Sequence, residues 1–237
     1  MSAFNFLWIL PFVFLMQNEG SQKIYEVKKL EQEININGQG TDPAWAQAAI
    51  LTDFQLPWND EIPQPMSFQA MWTDSALYLL YHVIDHNIVA PGPPDDKRGV
   101  IPSDRVEIFF KVNGEMNPYY CLELDPRARV LDYKARYYRN TDFDWSWPKE
   151  DLQVLATTQE NGYSVEVKIT MKSLQDMQIL DENKTLDVGL FRGDFQTAPN
   201  GRTEVKWISW VKPDSERPDF HIPSAFGKLI LMEDKTP

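Results

Sequence analysis

Short segments in which apolar and polar residues alternate at every second position make up most of the chain. The segments 76–83 and 106–110 are rich in β-branched and aromatic residues and are bounded by Asp, Gly or Pro, a pattern typical of β-strands. The same character recurs at 119–124, 130–138, 153–158, 163–170, 185–191, 205–210 and 226–231. These segments predict a protein built almost entirely from strands.

Turn-forming residues separate the predicted strands. The dipeptides Asn113-Gly114, Asn161-Gly162 and Asn200-Gly201 are typical of tight hairpin turns. Only 171–177 has helical character, and Thr170 is available to cap its first turn. Many short strands with almost no helix predict an all-β fold, an antiparallel β-sandwich of the jelly-roll or immunoglobulin-like type with at most short helices.

The amino-terminal segment is almost uninterruptedly apolar from residue 4 to residue 16. At about 13 residues it is too short to span a bilayer as a helix, but it matches the apolar part of a secretory signal. We therefore expect residues 1–20 to be a secretion signal and residues 21–237 to form a single domain of a secreted or periplasmic protein. A wrongly assigned start or an uncleaved membrane anchor is the alternative, because no Lys or Arg precedes the apolar run.

The composition narrows the range of partners. The chain has 237 residues, a hydrophobic fraction of 43% and a formal net charge of −12. Such a chain can bury a sizeable core, and its charge repels phosphate backbones and anionic lipid headgroups. We expect no nucleic-acid partner, no membrane span in the mature chain, and a monomer. The single cysteine, Cys121, excludes an intrachain disulfide and is typical of a small buried residue.

One long loop between predicted strands is rich in proline and acidic residues. It runs from Asp85 to Asp104 and carries Asp95 and Asp96 near its middle. Loops of this length are commonly functional, and carboxylate oxygens are the ligands that Ca²⁺ prefers. We therefore take Asp85, Asp95, Asp96 and Asp104 as candidate calcium ligands, with a solvated acidic turn as the alternative.

Several short motifs occur in a defined order along the body of the chain. They are Asp42-Pro43-Ala44-Trp45, the run 72–79, Asp104-Arg105-Val106-Glu107-Ile108-Phe109, the run 119–125, Tyr163-Ser164-Val165-Glu166-Val167, and a closing Phe220-His221-Ile222-Pro223 with Phe226-Gly227. Over roughly residues 34–232 this succession resembles the family 9 carbohydrate-binding modules and their DOMON-like relatives. The resemblance implies an immunoglobulin-like sandwich that holds a sugar end between two aromatic faces, with calcium as a structural ion.

The resemblance also implies individual site residues. The aromatic residue that precedes the family's closing motif falls on Phe220, whereas the opposite aromatic wall falls on Ile101. The arginine that some sugar-binding members carry after the tyrosines falls on Glu123, and the following polar position falls on Asp125. One of the two aromatic faces of the family's sugar clamp is therefore missing from this sequence.

The closing segment supplies aromatic residues suited to a ligand site. Trp210, Phe220 and His221 lie on or beside the loop between the last two predicted strands. Aromatic faces on such loops stack against sugar rings while nearby polar groups bind the hydroxyls. Glu107, between two apolar residues, is expected to bind sugar hydroxyls or to pair with an arginine such as Arg192.

A second aromatic and acidic loop offers a replacement for the missing wall. It contains Trp145 and Trp147 within the run 142–148, and we expect both to belong to the ligand site. Trp207 and Trp210 are three residues apart in a strand, so their side chains face opposite sides and one of them is expected in the core.

These observations predict a non-catalytic carbohydrate-binding protein with an oligo- or polysaccharide as its partner, an accessory to extracellular or periplasmic polysaccharide degradation. Glycoside hydrolase activity is one alternative, because sequence alone does not reveal the separation of paired carboxylates. A haem-binding electron-transfer sandwich is the other, with Met71 and either His82 or His221 as axial ligands.

Overall fold

The computed structural model describes residues 22–197 and 201–233. Twelve strands cover much of this part of the chain. They are β1 Ile24–Lys29, β2 Met66–Trp72, β3 Ala76–Ile84, β4 Arg105–Lys111, β5 Tyr119–Leu124, β6 Val130–Arg136, β7 Asn140–Asp142, β8 Leu152–Gln159, β9 Gly162–Thr170, β10 Thr185–Thr197, β11 Thr203–Ser209 and β12 Gly227–Leu231. The helix α1 spans Met171–Asp176, and short 3-10 helices span Pro43–Gln47, Lys97–Val100 and Pro223–Ala225.

Strand β1 joins two layers of strands. On one side of it the order is β12-β10-β4-β5-β6-β7, with β11 paired to β10, and we call these strands the site layer. On the other side the order is β2-β3-β9-β8, the opposite layer. β1 pairs in parallel with both β12 and β2, whereas the remaining pairings between the described strands are antiparallel. The predicted all-β fold is confirmed, with a parallel link at β1 that the sequence pattern does not predict.

The main core lies between the two layers. Val106, Ile108 and Phe110 of β4 are fully buried there in one cluster with Leu79 and Tyr81 of β3. Alternate residues of each strand enter this cluster because successive side chains point to opposite faces of a sheet. The alternation seen in the sequence is thus the origin of the core.

The outer face of the site layer is also buried. Phe109 of β4, Tyr133 of β6 and Phe191 of β10 form a second cluster with Phe220 and Phe226, which lie in the segment before β12. Strand β4 is therefore buried on both faces, and its outward-facing polar residues are enclosed by protein.

Most element boundaries follow the sequence pattern, with several differences. α1 begins after Thr170, whose hydroxyl accepts a hydrogen bond from the backbone N–H of Ser173, as predicted. β10 continues beyond residue 191 to Thr197, and β1, β2 and β7 lie outside the predicted segments.

The remaining predictions about the chain concern its cysteine and its amino terminus. Cys121 is buried, as expected. Residues 1–20, the predicted secretion signal, lie outside the described residues. Among the residues described, none of the helices has the length and apolar character needed to cross a membrane.

Gly162 is required by the close approach of β9 to the end of β3. Its φ is +149°, and a Cβ at this position would lie 1.9 Å from the carbonyl oxygen of Val83.

We expect Gly162→Ala to lower the free energy of unfolding by about 3 kcal/mol, measured by urea denaturation. Gly114→Ala is the control, because its Cβ would meet nothing within 4 Å. Similar losses in both variants would contradict the prediction.

Candidate functional site

A pocket opens on the outer face of the site layer. It has a volume of about 160 Å³ and is formed by β4, β5 and β11, the turn after β6 and the segment before β12. Its lining residues are Arg105, Glu107, Phe109, Glu123, Arg139, Trp207, Pro218, Asp219, Phe220 and His221. Four of the predicted ligand-binding residues, Glu107, Glu123, Phe220 and His221, therefore come together here.

The register of the strands determines which polar residues form the floor of the pocket. Glu107 and Phe109 both point outward from β4, because residues two apart lie on the same face of a strand. Glu107 lies in register with Glu123 of β5 on one side and with Phe191 of β10 on the other. The pairing of two glutamates across neighbouring strands brings two carboxylates to one point.

A glycine makes room for the arginine between these carboxylates. Arg105 of β4 is in register with Gly193 of β10, which is in turn in register with Trp207 of β11. A Cβ at Gly193 would lie 3.2 Å from the Trp207 ring and 3.4 Å from Arg105. Glycine therefore leaves space for the Arg105 guanidinium to lie over the Trp207 ring, 5.3 Å from its centroid.

Arg105 holds both carboxylates of the floor. Its Nε donates a hydrogen bond to Glu107 Oε1 at 2.8 Å and lies 2.6 Å from Glu123 Oε2. Tyr133 donates a hydrogen bond to the other oxygen of Glu123 at 2.8 Å. All four residues are buried, so the ion pairs are shielded from solvent and depend on their geometry for stability.

Burial favours the protonated form of Glu107 on this floor. Burial raises the pKa of Glu107 to about 8, repulsion from Glu123 acts in the same direction, and Arg105 opposes both effects. The carboxyl group therefore holds a proton at neutral pH. The pKa of Glu107 in the folded state exceeds its ordinary value of 4.5, so the folded state binds this proton more tightly than the unfolded state does. The resulting stabilisation of the fold is fully present below pH 4.5 and is lost as the pH rises toward about 8.

The aromatic walls differ from those predicted. Phe220 is only 6% exposed, because its ring stacks on Phe191 at 4.0 Å with an interplanar angle of 8°. Trp207 stands perpendicular to Phe220, with centroids 5.8 Å apart, and is half-buried. The exposed loop aromatic expected at Phe220 is thus largely a packing residue, and Trp207 carries the more open aromatic face.

The rim of the pocket is a hydrogen-bonded group of loop residues. Asp219 accepts hydrogen bonds from Arg139 Nη2 at 2.8 Å and from the Tyr138 hydroxyl at 2.6 Å. The hydroxyl of Tyr119 lies 3.0 Å from His221 Nδ1. Burial lowers the pKa of His221 to about 4, and Arg139 adds to this shift, so the imidazole is neutral at pH 7.

The other four residues predicted to bind ligand lie outside the pocket. Trp210 is 1% exposed, and Trp145 and Trp147 also pack in or against the main core. Asp125 is fully buried and forms an ion pair with Arg129 at 2.6 Å. Trp145 and Trp147 therefore form no wall opposite Phe220.

The two ends of the long acidic loop meet a third carboxylate. Oxygens of Asp85, Asp104 and Asp194 all lie within 4.8 Å of one another. Arg192 Nη2 lies 2.9 Å from Asp85 and 3.6 Å from Asp194. Burial raises the pKa of Asp104 to about 7, although the backbone N–H groups of Val89 and Phe195 donate to it. We call these three aspartates the acidic cluster.

The two remaining candidate calcium ligands lie outside the acidic cluster. Asp95 is exposed, and Asp96 accepts a hydrogen bond from the Arg98 backbone N–H at the start of the 3-10 helix. The buried hydroxyl of Tyr163 has no hydrogen-bond partner among the described residues. Burial raises the pKa of this hydroxyl, and the charges of the acidic cluster act in the same direction. Asp194 completes the cluster from β10, a position that the sequence did not suggest.

The candidate haem ligands do not converge. Met71 is in register with Tyr78, whereas His82 is in register with Ser67, about 13 Å along the strand from Met71. Met71 packs on the outer face of the opposite layer, and His221 lies at the pocket of the site layer. Neither histidine is therefore placed to share one iron with Met71.

Sequence reasoning missed several pocket residues for different reasons. Arg105 precedes Glu107 by two positions, so strand alternation contained the signal that both face the same side. The sequence pattern favours Trp210 at the site, whereas the structure buries Trp210 and places Trp207 at the pocket, because the choice between the two depends on the register of β11. Arg139 and Asp219 belong to loops with no periodicity, and nothing in the pattern placed them together.

Comparisons with known proteins identify a family that this chain resembles. The family model described as carbohydrate family 9 binding domain-like matches residues 36–234. Comparison with curated proteins gives no match.

Solved structures share the fold at low sequence identity. A presumed carbohydrate-binding protein from Bacteroides uniformis is 19% identical, with a TM-score of 0.70 over 90% of this chain and 100% of its own. A family 9 carbohydrate-binding module from Caldicellulosiruptor kristjanssonii in complex with glucose is 18% identical, with a TM-score of 0.53 over 90% and 99% of the two chains. The complex of such a module with cellotriose gives 17% identity and a TM-score of 0.55 over 91% and 97%.

The burial of Phe220 leads to a stability prediction. We expect Phe220→Ala to lower the free energy of unfolding by about 3 kcal/mol or more, because the substitution removes a ring stacked within a buried cluster. Ile101→Ala is the matched control at the other predicted wall, where the side chain is 47% exposed and its loss costs little. Chemical denaturation of both variants measures the difference. A Phe220→Ala variant as stable as the wild type would show that the ring is not a packing residue.

Proposed function

This chain belongs to the carbohydrate family 9 binding domain-like family, and on this premise we propose that it binds carbohydrate in the pocket without cleaving it. The observation that carries the proposal is the combination of a buried polar floor with an adjacent aromatic face. Sugars present hydroxyls at their edges and C–H groups on their faces, so a site of this composition is complementary to them.

The arrangement of the two glutamates supports binding rather than hydrolysis. Glu107 and Glu123 both contact the same nitrogen atom of Arg105, so the two carboxylates lie together on the floor. A glycosidase places its two carboxyl groups on either side of the bond that breaks. Here both groups are suited to accept hydrogen bonds from one side of a sugar.

The open aromatic face sets the expected affinity. One stacked aromatic ring contributes about 1 kcal/mol beyond the burial of apolar area, and ordering a flexible ligand opposes binding. With Trp207 half-buried and Phe220 engaged by Phe191, we expect weak binding. The structural relatives described with glucose and with cellotriose make glucose-type oligosaccharides suitable first probes.

The apolar amino-terminal run supports export of the chain. We therefore propose that the protein is a secreted or periplasmic accessory to polysaccharide degradation.

The acidic cluster is the proposed site of a structural calcium ion. Three carboxylates against the single guanidinium of Arg192 leave a formal charge of −2, which a divalent cation balances. The orphaned hydroxyl of Tyr163 beside them and the spacing of the oxygens fit a hard cation with oxygen ligands. Asp85, Asp104 and Asp194 would hold the ion, which would tie both ends of the acidic loop to β10.

Replacement of Trp207 tests the binding site. We expect Trp207→Ala to weaken cellotriose binding by about tenfold, because the open stacking surface is lost, with titration calorimetry as the measurement. Trp145→Ala is the control, since this tryptophan packs against the main core instead of the pocket. Equal loss in the two variants would place the site elsewhere. A folded wild-type protein that binds neither cellotriose nor any member of a glycan array would contradict the proposed function.

Removal of calcium tests the acidic cluster. We expect chelation to lower Tm of protein purified with Ca²⁺, because an ion that binds only the folded state stabilises it. Asp194→Asn should remove most of this difference, whereas Asp95→Asn should preserve it because Asp95 is exposed and outside the cluster. An unchanged Tm in the presence of chelator, measured by calorimetry, would argue against the ion.

A further inference from the structure

The floor of the pocket has fewer hydrogen-bond donors than its carboxylates can use. Nε of Arg105 carries one hydrogen, which it donates to Glu107 Oε1. Glu123 Oε2 lies 2.6 Å from the same nitrogen but receives no hydrogen bond from any described residue. A buried carboxylate oxygen without a donor is costly, so the floor is suited to a ligand that brings donors of its own.

The positive groups nearby are already committed. The second arginine that lines the pocket, Arg139, donates to Asp219 and to Tyr138 at the rim. His221 is neutral, since burial lowers its pKa to about 4. The hydroxyl of Tyr133 donates a hydrogen bond to Glu123 but brings no positive charge to the floor.

The floor has more negative than positive charge when both of its glutamates are ionised. The neighbouring strands β10 and β11 contribute Phe191, Gly193 and Trp207 at this level, none of which carries a charge. One guanidinium, that of Arg105, therefore faces two carboxylates when both are ionised. The free protein relieves the excess negative charge by holding a proton on Glu107, whose pKa burial raises to about 8.

We propose that the pocket selects sugars that carry a protonated amino group, of the hexosamine type, with the ammonium directed at Glu107 and Glu123. This inference rests on the proposed function and names its ligand class. An ammonium group supplies both the positive charge and the donors that the floor lacks, and charge-assisted hydrogen bonds are stronger than those of a neutral hydroxyl. The net charge of −12 also attracts cations to the whole molecule.

The test compares three sugars that share one ring: glucosamine, glucose and glucuronic acid. At about pH 6.5, titration calorimetry should give glucosamine an affinity at least about tenfold above that of glucose, with glucuronic acid the weakest. Glucosamine should also release about one proton from Glu107 on binding, because the ammonium takes the place of that proton. Titrations in two buffers of different ionisation enthalpy measure this release, and glucose should show none.

Variants assign the selectivity to the floor. Glu107→Gln should reduce the ratio of glucosamine to glucose affinity toward one and abolish the proton release. Glu115→Gln is the matched control, because it removes the same charge from an exposed position on the turn after β4, and it should retain both. Glu123→Gln provides a second test if Glu107→Gln does not fold, and it should also lower the ratio.

The outcomes separate this inference from the proposed function. If glucose or glucuronic acid binds as tightly as glucosamine, the inference is overturned while carbohydrate binding stands. If ethanolamine competes as well as glucosamine does, the pocket recognises the amine without the sugar and the inference is likewise overturned. If none of the three sugars binds, the inference fails, and a glycan array without a single hit would remove the proposed function as well.

Discussion

The burial of β4 on both faces is the constraint on which the site depends. Its inner residues fill the core between the layers, while the loop segment with Phe220 covers its outer face. Glu107, 2% exposed, therefore needs a hydrogen-bond partner within the protein, because a buried polar group without one is costly. Arg105 supplies it from the same face of the same strand. The pairing that stabilises the buried strand thus also forms the polar floor of the pocket.

The pocket and the acidic cluster are mechanically linked at the start of β4. Asp104 immediately precedes Arg105 and accepts a hydrogen bond from the Phe195 backbone N–H at 2.6 Å. The last backbone pair of the β4–β10 ladder joins Arg105 and Gly193, so this side-chain bond extends the ladder by one more connection. The acidic cluster and the polar floor therefore meet at one strand end, the end from which Arg105 reaches the pocket.

Local patterns predicted the fold better than the site. The alternation of β4 and β5 gave their bounds to within a residue or two, because both strands are set by local burial. β1 lies outside the predicted segments although its residues alternate between exposed and buried, and its parallel pairings join strands distant in sequence, which no local pattern reveals. At the site, Glu107 and Glu123 were found, whereas Asp194 was missed because it meets Asp85 only through the fold. The choice between Trp207 of β11 and Trp210, which directly follows β11, required the pairing of β11 with β10, and the sequence of one strand does not reveal that pairing.

Aromatic packing and ligand recognition compete for the same surface in this pocket. The ring of Phe220 lies flat on Phe191, so its apolar area contributes to folding and little of it remains for a ligand. Trp207 is open in part, but Arg105 lies over its ring and occupies some of the face. Stacking alone therefore supplies little binding energy. In the binding site that we propose, discrimination among ligands would therefore depend on the floor, where the low local dielectric strengthens hydrogen bonds and interactions between charges.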